Sequence, residues 1–279
     1  MGRLLSSLES QTWPPGARIL IVDNDPAGSA AAVVQAAQGL ISIPIDCCLE
    51  PKKGFSTVRN AALDFAPSEA AVCFLDDDAV VPRTWVEIMY STSAAHPEEI
   101  VRSKYLFVSS FSKHSDYVTR LVESIRPLGG LSPAGTSGLL IPAGIRRYAT
   151  FDPYFDLAGG EDMDLLFRLE QRGVREVHAD TLVIEERRAR DLSMKSQLKI
   201  ATWNGHLETI IQQRNGVKTN VLRWNSLRSA LVAFSRAILR AVLGRRQSAS
   251  GYFTFAAGRW AMATASAHPP ESLGQRPQG

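Results

Sequence analysis

Three consecutive carboxylates, Asp76-Asp77-Asp78, follow the short apolar run Ala71-Val-Cys-Phe-Leu75. Adjacent like charges repel, so such a group persists where water solvates it or a cation neutralises it. A hard divalent ion, Mg2+ or Mn2+, would neutralise it and could bridge to a diphosphate; the plainer alternative is a solvated acidic turn. A second acidic group, Glu161-Asp162 with Asp164, follows Gly159-Gly160. An acidic pair at a helix start can supply a general base, or can only complement the helix dipole. Gly54 stands five residues before Arg59-Asn60. An arginine on the first turn of a helix can hold a phosphate or a base edge, or can be a surface residue after a permissive glycine turn.

These residues need elements to position them. Leu4 to Gln11 reads as a short helix stopped by Trp13-Pro14-Pro15-Gly16. Arg18 to Val22 is a continuous apolar run of the kind found in buried parallel strands, and it ends at Asp23-Asn24-Asp25-Pro26. Ala30 to Gln38 reads as helix, Ile41 to Ile45 as strand, Ser56 to Phe65 as helix and Ala71 to Leu75 as strand. Farther on, residues 131–142 form a glycine-containing loop entering a strand, Leu165 to Arg172 is helical, and Val174 to Glu186 is strand-like. Strands alternating with helices predict an α/β domain with a mostly parallel sheet flanked by helices. Ligands in such sheets sit beyond the carboxyl ends of the strands, so Asp23 and Asp76–Asp78 are expected to face one crevice.

The last third differs in charge. Residues 1–186 carry 16 basic and 25 acidic side chains, whereas residues 187–279 carry 15 basic and 3 acidic. A basic end attracts an anionic partner. Met194 to Gln213 reads as helix. In the next helical stretch Leu227, Leu231, Phe234, Ile238 and Val242 fall on one stripe, with Arg236 and Arg240 opposite. That pattern predicts a basic amphipathic helix that lies on a membrane surface or packs on the rest of the protein. No nucleic-acid recognition motif accompanies the charge, so no nucleic-acid partner is expected. With 45% apolar and 21% charged residues the chain has globular composition. Its three cysteines, Cys47, Cys48 and Cys73, offer neither a disulfide framework nor metal-ligand spacing, which favours a reducing compartment. Neither a secretory leader nor a bilayer-spanning run is visible.

Taken in order, five elements resemble family 2 glycosyltransferases of the GT-A fold: Ile19-Leu-Ile-Val-Asp23-Asn24, Gly54-x4-Arg59-Asn60, Phe74-Leu75-Asp76-Asp77-Asp78, Gly135-Thr136-Ser137-Gly138-Leu139, and Gly160-Glu161-Asp162-x-Asp164-Leu165 with Arg168. The resemblance spans about residues 4–190. It implies that Asp23 contacts the nucleotide base and that Arg59 helps hold the nucleotide. Asp76 and Asp78 would form the acidic pair touching ribose and metal, with Asp77 able to replace either. Asp162 would be the general base, and Glu161 its neighbour in acceptor binding. It also implies a nucleoside-diphosphate sugar donor, a glycan, lipid-linked or polysaccharide acceptor, Mn2+ or Mg2+, and inversion in one in-line step. Where many members carry a metal-binding histidine after the last strand, this chain has Leu182-Val-Ile-Glu185-Glu186, so Glu185 is the expected substitute.

The family also begins with a strand before the first helix, which this chain starts too late to contain. That predicts unpaired edges on its two neighbours, through a misplaced start, a truncated copy or a replacement. A truncated, inactive relative acting as a membrane-associated scaffold is the alternative function. A phosphohydrolase of the haloacid dehalogenase type also places Asp-x-Asp after a buried strand, but it leaves Gly160-Glu161-Asp162 unexplained. The expected organisation is a transferase domain over 1–190, a basic helical extension over 191–265 and a disordered tail over 266–279. The expected location is cytoplasmic, peripheral on the inner face of the cell membrane.

Overall fold

The apolar runs that end at Asp23 and at Asp76 become strands, and the helices between them each bury one stripe. The computed structural model describes residues 1–108, 135–186, 193–244 and 246–265. The chain divides into two compact units, residues 1–156 with 169–187, and residues 157–168 with 188–279.

In the first unit the order is α1 (Gly2–Glu9), β1 (Ile19–Asp23), α2 (Ala30–Ala37), β2 (Ile45–Leu49), α3 (Phe55–Phe65), β3 (Val72–Phe74), β4 (Ala79–Val80), α4 (Trp85–Ala95), β5 (Ile100–Val108), β6 (Leu139–Ile141) and β7 (Glu176–Glu186). Strands β1 and β2 form a parallel pair with Ile19 opposite Ile45. The other five run β3-β6-β5-β7-β4. Within that sheet β5 and β7 are parallel, while β3–β6, β5–β6 and β4–β7 are antiparallel. The α/β class therefore holds, with a mixed sheet. The antiparallel members are introduced by β6 and β4, which are only three and two residues long and carry no periodic signal.

One strand is displaced from its expected place. Ile41 to Ile45 is not a strand; β2 begins at Ile45 and runs through Cys47 and Cys48. Pro44 has no N–H to give to a ladder. Its carbonyl instead accepts the Ile19 N–H at 2.9 Å and marks where pairing starts. Ile41 is buried as an anchor after α2.

Leu4, Leu5 and Leu8 of α1 meet Val34 of α2 and Trp85 and Met89 of α4 in one apolar cluster with Val101, Tyr105 and Val183 of the sheet. Each such side chain contributes about 1.5–3 kcal/mol when fully buried. Gln11 fastens α1 to α4: its amide donates to the carbonyls of Ser7 and Pro82 at 2.9 and 2.8 Å, and its oxygen accepts the Val86 N–H at 3.0 Å. Arg146 closes the other end of α3. Its guanidinium donates to the carbonyls of Leu63, Ala66, Pro67 and Ala70, in the last turn of that helix and the turn after it.

In the second unit α5 (Glu161–Glu170) starts, and α6 (Met194–Arg214), α7 (Thr219–Val242) and α8 (Arg246–Thr264) follow. Helix α8 packs on both α6 and α7. The approach to α6 is close enough that a Cβ on Gly205 would lie 2.2 Å from the Gly258 carbonyl oxygen. Helix α7 buries Leu222, Ser226, Ala230, Ala233 and Ala237. Of the stripe, Leu227 is half-buried, whereas Leu231, Phe234, Ile238 and Val242 are exposed among the described residues. Backbone closeness decided this: a face of Ala and Ser admits α8 nearer than a face of Leu and Phe would. Among the described residues no helix is long and apolar enough to cross a membrane.

Candidate functional site

The site is best built from α3, whose two ends are held by distant residues. Its N-terminal N–H groups need acceptors. The Asp156 carboxylate supplies them, taking the Thr57 N–H and the Thr57 hydroxyl, both at 2.8 Å. Gly54 permits this approach: its φ is +156°, and a Cβ there would fall 2.2 Å from Asp156 Cγ. Asn60 then pairs with the backbone of Phe151 in both directions, its amide donating at 2.8 Å and its oxygen accepting at 2.9 Å. Ser56 donates to the Asp152 carbonyl at 2.7 Å. Gly54 and Asn60 thus hold the segment 151–156 against α3. Gly54→Ala should cost about 2–4 kcal/mol, from overpacking plus disturbance of the cap. Urea denaturation would show it, and Gly54→Ala combined with Asp156→Ala should be more stable than Gly54→Ala alone, because the second change removes the clash.

Fixed in this way, Arg59 reaches Asp76, with Nη2 3.7 Å from Oδ1. Its guanidinium also lies over the rings of Phe55 and Phe151, 5.7 and 6.0 Å from their centroids. Asp76 ends the apolar β3 segment, and its N–H donates to Ser137 Oγ at 3.1 Å. Ser137 belongs to the Gly135–Leu139 loop, whose carbonyl at Ser137 accepts the Tyr105 hydroxyl. Arg102, nearly fully buried on β5, steadies the same loop through the Gly135 carbonyl at 3.2 Å and pairs with Glu176. Burial pushes the Tyr105 hydroxyl well above its ordinary pKa, and the nearby carboxylates of Asp76 and Glu185 push it the same way. Tyr105 is therefore a neutral donor beside an acidic group.

The structure thus brings together Arg59, Asp76, Tyr105, Ser137 and Glu185. Asp77 and Asp78 are exposed on the turn into β4. There Ala79 stands directly opposite Glu185 in the β4–β7 ladder, and Glu185 is 1% exposed. Asp23 ends β1 and is buried; its two oxygens accept the N–H groups of Asp25 at 3.0 Å and Ala30 at 2.7 Å. It shapes the β1–α2 loop, each oxygen keeping a second lone pair.

Glu161 and Asp162 lie in the second unit, in the first turn of α5, with Asp164 beside them; all three are buried. Asp164 is committed to Arg168, whose Nε donates to it at 2.8 Å. Among the described residues the Asp162 side chain makes no hydrogen bond or ion pair, and so its carboxylate retains its acceptor capacity.

Among the described residues no three acidic, histidine or cysteine side chains form a group able to hold a metal ion. Asp78 immediately precedes Ala79, the residue paired with Glu185, and carboxylates are the hard oxygen donors that Mg2+ or Mn2+ takes together with substrate phosphates.

Tyr105 and Ser137 were not singled out as site residues by the sequence. Ser137 lay inside a recognised loop motif; nothing in the sequence marks Tyr105 apart from other aromatic residues on strands.

The fold and site define an α/β domain that gathers carboxylates and an arginine at the ends of apolar strands. Residues 1–134 match the model for glycosyl transferase family 2. No curated protein matches the chain. Among solved structures, S. aureus TarS aligns at 15% identity and a TM-score of 0.47, covering 71% of this chain and 36% of its own. GalNAc-T7, solved with UDP, GalNAc and Mn2+, aligns at 12% identity and a TM-score of 0.49, covering 73% and 46%. The chain spans less than half the length of either.

Proposed function

We propose that this protein transfers a sugar from a nucleoside-diphosphate sugar to an acceptor hydroxyl with inversion. The observation that carries the proposal is the junction of Arg59 with Asp76 at the end of β3, inside a segment that matches glycosyl transferase family 2. Asp23 would read the base from the β1–α2 loop. Arg59, whose charge already faces Asp76, would also face the diphosphate, and Asp76 with Asp77 would hold the ribose side. Asp78, with Glu185, would hold Mn2+ or Mg2+ together with the phosphates. The ion supplies charge stabilisation for the departing diphosphate.

The acceptor oxygen forms its bond to the anomeric carbon as the bond from that carbon to the diphosphate oxygen breaks. The acceptor proton passes to Asp162, the uncommitted carboxylate of the α5 first turn, and Glu161 orients the acceptor. Positioning both substrates contributes the rest of the acceleration. In this reading residues 1–190 carry the transfer and residues 191–265 attach the protein peripherally to the anionic inner face of the cell membrane. There it would meet a lipid-linked, glycan or polysaccharide acceptor.

The test is thermal-shift binding of UDP, GDP and dTDP with and without Mn2+. One nucleotide should raise the melting temperature, more so with Mn2+, and Asp76→Ala and Asp78→Ala should each abolish the rise. A wild-type chain that none of the three stabilises would sink the proposal.

A further inference from the structure

Helix α7 presents its bulky apolar residues to solvent. Trp224 is 68% exposed, Leu231 59%, Phe234 46%, Ile238 52% and Val242 78%. These residues span about 27 Å of helix at 1.5 Å per residue. The face continues onto α8, where the Phe253 ring lies 6.0 Å from that of Phe234, and where Trp260 and Trp224 line one groove. Monomeric soluble proteins rarely expose a contiguous apolar surface of this extent without a partner.

Charge decides what that partner is. From Asn215 to Ala265 the chain carries eight basic residues and no acidic one. Arg228 flanks the apolar face, exposed one helical turn after Trp224, while Arg236, on the other side of α7, lies with its guanidinium 6.0 Å from the Tyr252 ring centroid. Arginine beside tryptophan, phenylalanine and leucine on one exposed helix face is the composition of elements that lie in the plane of an anionic bilayer interface. A second copy of this chain would bring the two basic surfaces against each other, which like charge opposes. Spanning is not the mode, since neither α7 nor α8 is long and apolar enough.

We infer that the joined face of α7 and α8 docks on an anionic lipid surface, the apolar side chains entering the headgroup boundary and the arginines meeting lipid phosphates. The inference rests on the membrane-associated part of the function proposed above and is independent of the transfer chemistry.

The experiment is cosedimentation of the full chain with vesicles of phosphatidylcholine alone or mixed with phosphatidylglycerol. Binding to the mixed vesicles should exceed binding to the neutral ones by about tenfold and should weaken at about 0.5 M salt. Leu231→Asp with Ile238→Asp should reduce it by at least about tenfold without moving the unfolding midpoint. Leu40→Asp, a change at an exposed apolar residue on the first unit, should leave it unaltered. If the wild type binds and the double variant binds equally well, the docking face is wrong while membrane association stands. If the wild type fails to bind mixed vesicles, both fall; sedimentation of a dimer that the double variant dissociates would then assign the face to a second copy.

Discussion

Asp162→Asn should lower kcat by about 10^2–10^4-fold, the range over which a positioned general base acts. Thermal stabilisation by the donor nucleotide should remain as in the wild type. Asparagine preserves the shape and the helix-start position but cannot accept the acceptor proton. Asp164→Asn offers the contrast: that carboxylate is already held by Arg168 at 2.8 Å, and its loss should appear in stability rather than in the chemical step. Asp76→Asn should weaken nucleotide binding and turnover together, because it unloads Arg59 and the donor side at once. An Asp162→Asn enzyme with unchanged kcat would remove this residue from the reaction and leave the donor-site reading untouched.

The largest expected effect on stability lies elsewhere. Gly205→Val should destabilise the helical unit by at least about 3 kcal/mol, read as a fall in the urea midpoint. The new side chain would have to occupy the space 2.2 Å from the Gly258 carbonyl, a backbone atom that cannot swing aside. The reciprocal change, Gly258→Ala, meets the Ala201 carbonyl at 3.0 Å and should cost less. Equal midpoints for Gly205→Val and wild type would mean that α6 and α8 do not pack through this contact.

These two cases also show where the sequence is informative. The Asp76–Asp78 turn, the Gly54-x4-Arg59-Asn60 spacing and the acidic start of α5 were legible, because each is a local arrangement of residues with few chemical uses. Even there the physical role came only with the fold. Gly54 admits Asp156, and Asn60 grips the Phe151 backbone, two partners roughly a hundred positions away that no local pattern reveals. The packing face of α7 was not legible, for a different reason. Periodicity weighs bulk, so it marked the Leu231–Phe234–Ile238 stripe, whereas the helix packs through alanine and serine. Gly205 gave no signal, since a single glycine in a helical stretch is uninformative until a second backbone is seen against it. Strand β2 shifted because Pro44 interrupts what hydropathy alone reads as continuous. Tyr105 entered the site through sheet order, which places β5 between β6 and β7.

The clasp on α3 has a consequence for how the protein comes to be folded. Its three polar fastenings, Ser56 to Asp152, Thr57 to Asp156 and Asn60 to Phe151, join residues 96, 99 and 91 positions apart. Closing loops of that length must precede any gain from the contacts, which slows the search for the native arrangement. During synthesis, α3 emerges long before its acceptors do, with its first N–H groups left to water. Residues 1–134, the stretch that matches the family model, end before all three acceptors and before β6 and β7. The stretch that matches the family model is therefore shorter than the stretch that must be made before the clasp on α3 can close.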